Sequence, residues 1–196
     1  MTQEIELRIQ TPKENLFLDW LEKNASYKSD TTQIDYYLDR TENPYFYFDE
    51  YNKLQSDYWL RIRSNNHRFI LCLKKVHRDE NGNYLYSDEY ETEISNLENT
   101  LKIYENLGYY KAITVNKHRK EWEYKDFVIS YDCIKNLGNF FEIELKQGNI
   151  AYEKGKNKIE KFLHSILNTE YTLSQEGYPS LIYNLNNLSK KQIQTK

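Results

Sequence analysis

Two segments in which acids alternate with apolar residues carry the first chemistry visible in this chain: Glu4-Ile5-Glu6-Leu7-Arg8 near its start and Glu142-Ile143-Glu144-Leu145-Lys146 far along it. In a β-strand successive side chains point to opposite faces, so Glu4, Glu6 and Arg8 share one face while Ile5, Leu7 and Ile9 share the other. The same parity places cations beside them. Arg61 and Arg63, then Lys74, then Lys117 and Arg119 fall on one face of successive strand-like stretches. If the apolar faces are buried, these ionic faces need water or a polar cavity with counter-ions. A closed antiparallel barrel with a polar bore would set the two signs against each other. A triphosphate with a divalent metal suits both: Arg and Lys neutralise phosphoryl oxygens, and carboxylates hold Mg²⁺ or Mn²⁺. Zinc is disfavoured because His and Cys are not clustered.

The elements that must position these groups are mostly short strands. Period-two alternation runs through Tyr58 to Ser64 and Phe69 to Lys75, Asn81-Gly82 marks a hairpin before Glu89, Glu91 and Glu93, and 113–124 with 127–134 reads as a further hairpin ahead of 139–147. Three helices are predicted. Thr11-Pro12-Lys13-Glu14 is a capping box ahead of Leu16, Phe17, Trp20 and Leu21, giving a helix near 12–24. Ser95-Asn96-Leu97-Glu98 repeats the cap, and Gly108 stands where a left-handed residue ends a helix near 96–107. Ile159, Phe162, Leu163, Ile166 and Leu167 mark the third, with Gly155 blurring its start. The aromatic stretch Asn43 to Glu50 reads as a strand end or loop.

At 196 residues the chain suits one domain, 1–188, with a β body over 1–147, a helical part over 151–188 and a flexible tail over 189–196. The 19 Tyr supply much of the 39% hydrophobic content, so the core is expected to be thin and aromatic. A formal charge of −3 gives no global attraction to DNA or to an anionic membrane, and any anion must be captured locally. With neither a signal-like start nor a spanning stretch, the expected location is cytoplasmic. Cys72 and Cys133 match no metal or redox spacing and read as two buried thiols. His67, His77, His118 and His164 lack a Ser or Cys partner pattern, and Trp59 and Trp122 read as outer-wall packing.

Taken in order, these residues resemble the CYTH superfamily, the triphosphate tunnel metalloenzymes that include class IV adenylyl cyclases and thiamine triphosphatases. Glu4-Ile5-Glu6-Leu7-Arg8 is similar to the family's Glu-x-Glu-x-Lys signature, and Gln33 to Asp39 to its Asp-x-Tyr segment. Leu60-Arg61-Ile62-Arg63 resembles its Leu-Arg-x-Arg strand, and Lys74 the lysine of the next one. Leu107-Gly108-Tyr109, Lys117-His118-Arg119, Asp132 with Leu137-Gly138, and Phe141-Glu142-Ile143-Glu144 complete a likeness over roughly 3–147. The resemblance implies an α+β fold: an eight-stranded closed antiparallel β-barrel, the triphosphate tunnel, with helices packed outside. It also implies that Glu4, Glu6, Asp132, Glu142 and Glu144 hold metal and that Arg8, Arg61, Arg63, Lys74, Lys117 and Arg119 hold phosphates. Glu91 and Glu93 are further tunnel candidates, while Asp35 and Tyr37 read equally as substrate-positioning groups or as a strand-end Asp and a half-buried Tyr. Two positions depart from the family: Arg8 stands where Lys is usual, and the run Asp88 to Glu93 lacks the Arg often found before its final Glu.

The implied reaction depends on the nucleophile. In a cyclase the ribose 3′-hydroxyl of ATP attacks the α-phosphorus and pyrophosphate leaves, and in a triphosphatase water attacks the terminal phosphorus. Chain length, Leu107-Gly108-Tyr109 and the segment Tyr178-Pro179-Ser180-Leu181-Ile182-Tyr183 lean the resemblance toward the class IV cyclase branch. Inorganic or organic triphosphatase is the alternative, and a non-catalytic module gripping ATP, polyphosphate or RNA 5′-triphosphate ends is a third. Family members often pair as homodimers, so that state belongs to what the likeness implies.

Overall fold

The computed structural model describes residues 2–51, 53–66, 68–80, 82, 84–146, 150–174 and 176–194; the side chains of 2–4, 84 and 187–194 lie outside the description, as do Asn81 of the expected hairpin and His67. In chain order the elements are β1 (Thr2–Glu4), β2 (Glu6–Gln10), α1 (Glu14–Asn24), β3 (Ser26–Arg40), β4 (Phe46–Phe48), β5 (Leu54–Ser56), β6 (Tyr58–Asn65), β7 (Arg68–Arg78), β8 (Tyr84–Ile94), α2 (Leu97–Asn106), β9 (Tyr109–Tyr124), β10 (Phe127–Ile134), β11 (Gly138–Leu145), α3 (Tyr152–Leu167), β12 (Thr172–Ser174) and α4 (Tyr178–Gln194). The backbone of the expected tail is placed in α4 as far as Gln194, and Thr195 and Lys196 lie outside the described residues.

The main sheet is antiparallel, in the order β1-β8-β7-β6-β3-β9-β10-β11-β2-β12. Those are ten strand segments, or nine when β1 and β2, one extended stretch interrupted at Ile5, are counted once. The sheet curls into a half-barrel and its ladder does not close, which corrects the expected closed eight-stranded barrel. The first extended stretch divides its pairing: residues 2–4 bond β8 while residues 6–10 bond β11 and β12, so no single strand carries a full ladder to both sides. The hairpins expected over 58–75 and 113–134 form, with Arg61 beside Cys72 and Arg119 beside Asp132. The aromatic stretch after Asn43 supplies β4, which pairs with β5 in a small separate sheet.

Three apolar clusters assign the two faces. Outside the curve, Ile5, Leu7, Ile9, Trp122, Ile129, Phe141 and Ile143 meet Phe17 and Leu21 of α1 and Ile159, Leu163 and Leu167 of α3. Also outside, Leu38, Leu60 and Ile62 lie beneath Leu97, Leu101 and Tyr104 of α2. The third cluster lies inside. Tyr37, Ile113, Val115, Ile134 and Phe140 have the same strand parity as Asp35, Lys117, Asp132 and Glu142, and they pack against Tyr178 and Ile182 of α4. Helices were expected outside only; α4 instead fills one part of the concave face. Trp59 belongs to this inner cluster, edge-on to Tyr37, and not to the outer wall expected for it.

Local signals were realised unevenly. In α2 the cap is Asn96, whose side chain accepts from Asn99 N, and not Ser95, while Gly108 takes the left-handed conformation that ends the helix. In α1 the Thr11 hydroxyl accepts from Lys13 N, but Glu14 turns away to bond Tyr131 and Asn139, so no reciprocal capping box forms. Gly155 lies inside α3, not before it, because a Cβ there would stand 2.9 Å from Ile5 Cδ1 and 3.1 Å from Leu145 Cδ1. Gly155→Ala is therefore expected to destabilise the fold by about 1–3 kcal/mol through overpacking, reversing the gain of about 1 kcal/mol that the change gives in an open helix. Urea unfolding checks the sign.

Candidate active site

Inner-face parity gathers the ionic side chains into one network with two halves. In the first, Arg8 Nε donates to Glu142 Oε1 at 2.8 Å and Arg8 Nη2 to Glu6 at 3.2 Å. Arg119 donates to the other oxygen of Glu142, and its Nε donates to Asp132 Oδ1 at 2.6 Å. Register explains this series, since Asp132 is level with Arg119 across β9 and β10 and Glu142 is level with Arg8 across β11 and β2. Lys117 Nζ lies 3.6 Å from Asp132 Oδ2. Burial would raise the Glu142 and Asp132 carboxyls, but Arg8 and Arg119 hold Glu142, and Arg119 and Lys117 hold Asp132, below the usual carboxylate range.

Asp35 centres the second half. It accepts a bidentate pair from Arg63, at 2.6 Å from Nε and 2.9 Å from Nη2, with Arg61 Nη1 3.8 Å away. Burial opposes its ionisation, yet Arg63 and Arg61 keep it strongly acidic. Arg61 also reaches Glu89 at 3.2 Å and Glu91 at 3.4 Å, and Lys74 lies 3.4 Å from Glu89. Lys117 joins the halves: level with Gln33, two residues from Asp35 on β3, it feels Arg119, Arg63, Asp132 and Asp35. Burial first, and Arg119 next, push its ammonium down to about 7 against the pull of Asp132.

The CYTH domain family model matches residues 2–178. The chain belongs to the CYTH family. Among solved structures, this CYTH domain is similar to a conserved hypothetical protein from Pyrococcus furiosus at TM-score 0.69 and 19% identity, covering 91% of this chain and 99% of that one. A candidate adenylate cyclase from Vibrio parahaemolyticus matches at TM-score 0.67 and 14% identity, over 93% of this chain and 98% of that one. A third, from Hippeastrum, is described as an adenylyl cyclase candidate that reveals a dominant triphosphatase activity; it matches at TM-score 0.63 and 19% identity, over 91% and 93% of the two chains. At these identities the likeness is one of fold. No curated protein matches the chain.

Of the residues singled out in the CYTH domain's sequence, Arg8, Arg61, Arg63, Lys74, Lys117, Arg119, Glu6, Asp132 and Glu142 all meet in this network. Glu144 is level with Glu6 on the same face. Glu4 lies in β1, and its side chain is outside the described residues. Glu91 reaches Arg61 from the rim, whereas Glu93 pairs with Arg68 in solvent and stands apart. His77 and His118 pair with Asp88 and Asp30 on the outer face.

Several lining groups carry no distinguishing signal in the sequence. Asp35, at least as readily read in the sequence as a strand-end residue, is almost wholly buried and central; a lone Asp between the half-buried Ile34 and Tyr36 has the same alternation whether its face meets water or a closed polar network. Glu89 was read only as part of a hairpin. Tyr178 entered only as part of a C-terminal segment. Cys72 is buried as expected, while Cys133 is only half-buried.

The donor set can be tested for a hard divalent ion. Glu6, Glu142 and Glu144 offer carboxylate oxygens on neighbouring strands, as Mg²⁺ and Mn²⁺ prefer. Cys72, Glu89 and Glu91 also place one ligand atom each within 4.8 Å of one another. Burial, with Glu89 alongside, pushes that thiol up to about 12, so Cys72 is a poor thiolate donor and its glutamates suit an oxygen-seeking ion better. The first set fits.

Proposed function

We propose that this CYTH domain is a divalent-metal-dependent enzyme acting on a triphosphate, with hydrolysis of the terminal phosphoanhydride as its first reaction. The supporting observation is the concave face: Arg8, Arg61, Arg63, Lys74, Lys117 and Arg119 converge there, and each stands next to a carboxylate. Six cations meet seven acids among the described residues, Glu6, Asp35, Glu89, Glu91, Asp132, Glu142 and Glu144, so the chamber carries a formal charge of 6 − 7 = −1. A bare triphosphate gains little from such a chamber. A triphosphate that brings Mg²⁺ or Mn²⁺ matches both signs: the guanidiniums turn to phosphoryl oxygens, and the released glutamates take the ion.

Glu6, Glu142 and Glu144 would hold the ion, with Asp132 supporting from Arg119 and Glu4 as a further candidate. When bound, the ion neutralises phosphoryl charge. Arg61, Arg63 and Lys74 bind and orient the chain of phosphates from one wall, and Arg8 and Arg119 from the other. Hydrolysis is placed first because α4 fills part of the concave face with Tyr178 and Ile182 against Phe140, Ile113 and Tyr37, which narrows the room for an organic group there. A substrate bearing an organic group then enters with its unsubstituted phosphate leading, and the terminal phosphorus lies deepest. Cyclisation of ATP is the second reading, favoured by the C-terminal segment.

Incubation with ATP and with tripolyphosphate, with Mg²⁺ or Mn²⁺, followed by chromatography, separates these outcomes. ADP plus phosphate and pyrophosphate plus phosphate are the expected products. Cyclic AMP plus pyrophosphate would install the second reading. Tight binding without turnover of either compound would leave a binding module in place of an enzyme.

A further inference from the structure

Tyr178, the first residue of α4, touches both ends of a chain of ion pairs. Its hydroxyl donates to Asp132 Oδ2 at 2.9 Å, and its ring lies beneath the Arg8 guanidinium, 4.1 Å from centroid to Cζ. Between those ends run the contacts Arg8 to Glu142, Glu142 to Arg119 and Arg119 to Asp132. The five side chains therefore close a ring. The helix bearing the phenol is fixed independently of it by Ser180, whose Oγ donates to Leu54 O at 2.8 Å in a buried contact, while the carbonyl of Glu176, just ahead of the helix, accepts from the ring's own Arg8 Nη1 at 2.9 Å.

We propose that Tyr178 is a positioning residue of the triphosphate site, fixing the carboxylate of Asp132 with its hydroxyl and the guanidinium of Arg8 with its ring face. The inference rests on the triphosphate reading above. An apolar plug alone needs only a Phe here, edge-on to Phe140 as the Tyr178 ring is. The hydroxyl has a different task. Asp132 already accepts two bonds from Arg119 with Lys117 nearby, and the phenol adds a donor from a separate element, which removes the carboxylate's remaining freedom to rotate. Arg8, held over an aromatic face, keeps its plane fixed while its hydrogen bonds can change from Glu142 to a phosphate.

The test is calorimetric titration of the full chain with tripolyphosphate and Mg²⁺. Tyr178→Phe keeps the plug and removes only the hydroxyl, so it is expected to retain a cooperative melt and to bind about tenfold more weakly, the scale of a hydrogen bond to a charged group. In an Asp132→Asn background the same change should alter binding by less than about twofold, because the hydroxyl acts through that carboxylate. Tyr178→Leu should weaken binding further by releasing Arg8. Wild-type affinity in Tyr178→Phe, or a loss that adds in full to that of Asp132→Asn, overturns the assignment while leaving the triphosphate reading standing. Failure of the wild-type protein to bind tripolyphosphate with Mg²⁺ removes that reading and the assignment together.

Discussion

Replacing Glu142 by Ala is expected to abolish metal-dependent turnover and to lower unfolding stability by about 3–5 kcal/mol, the cost of removing one partner from a buried charge network. From the sequence alone the fold is expected to persist, since deleting one of several clustered acids relieves repulsion. The structure reverses that argument. Glu142 lies between the guanidiniums of Arg8 and Arg119, so its removal leaves two cations facing each other in a site from which water is largely excluded. Glu142→Gln preserves shape and one acceptor, and should lose turnover with a smaller loss of stability. Denaturant titration of both variants reads the difference; an Ala variant that unfolds at the wild-type midpoint would refute the clamp. The same pairs set an acid limit: Glu142, Asp132 and Asp35 have depressed folded pKa values, so their stabilisation is present above the unfolded carboxylate range near about pH 4 and is lost as pH falls through the folded values.

Lys117→Met is expected to produce the second large effect, with opposite signs for stability and function. Burial brings the Lys117 ammonium down to about 7, whereas an unfolded lysine titrates near about 10.4. Between those values the unfolded chain binds the extra proton, so wild-type stability should rise with pH from about 7 to about 9, at up to about 1.4 kcal/mol per unit. Above that window Cys72, pushed up to about 12, acts the other way, because the folded thiol keeps a proton that the unfolded one loses. The Met variant should show no rise and should be more stable than wild type at pH 6, where the buried ammonium is charged. It should also bind triphosphate poorly, having lost a cation at the junction of the network's two halves. In the wild type, phosphate binding should return the proton to Lys117, so affinity weakens as pH climbs past about 7. Thermal melts and titrations at several pH values test both; a flat wild-type stability profile from pH 7 to 9 would refute the assigned shift.

What could be read in the sequence was what depends on strand parity and local order. Alternation with period two is a property of the backbone, so Arg61 with Arg63, Lys117 with Arg119 and Glu6 with Arg8 were assigned a common face before any partner was known. The ordered motifs gave the family, and the amphipathic stripes gave α1, α2 and α3. Asp35 lay beyond that reach because its alternation with Ile34 and Tyr36 is the same for a solvated sheet face as for a buried polar network, and the cap of α2 moved by one residue because Ser95 and Asn96 are chemically interchangeable there. Which acid meets which base was decided only by tertiary structure, since pairing depends on register between strands distant in the chain, such as β2 against β11. So was the side on which α4 lies: a helix with an apolar stripe must cover something, but the stripe is the same whether the helix sits outside a sheet or within its curve. That choice brought Tyr178 to Asp132 and Arg8, and the division of the first extended stretch between β8 and β11 was likewise settled by long-range pairing.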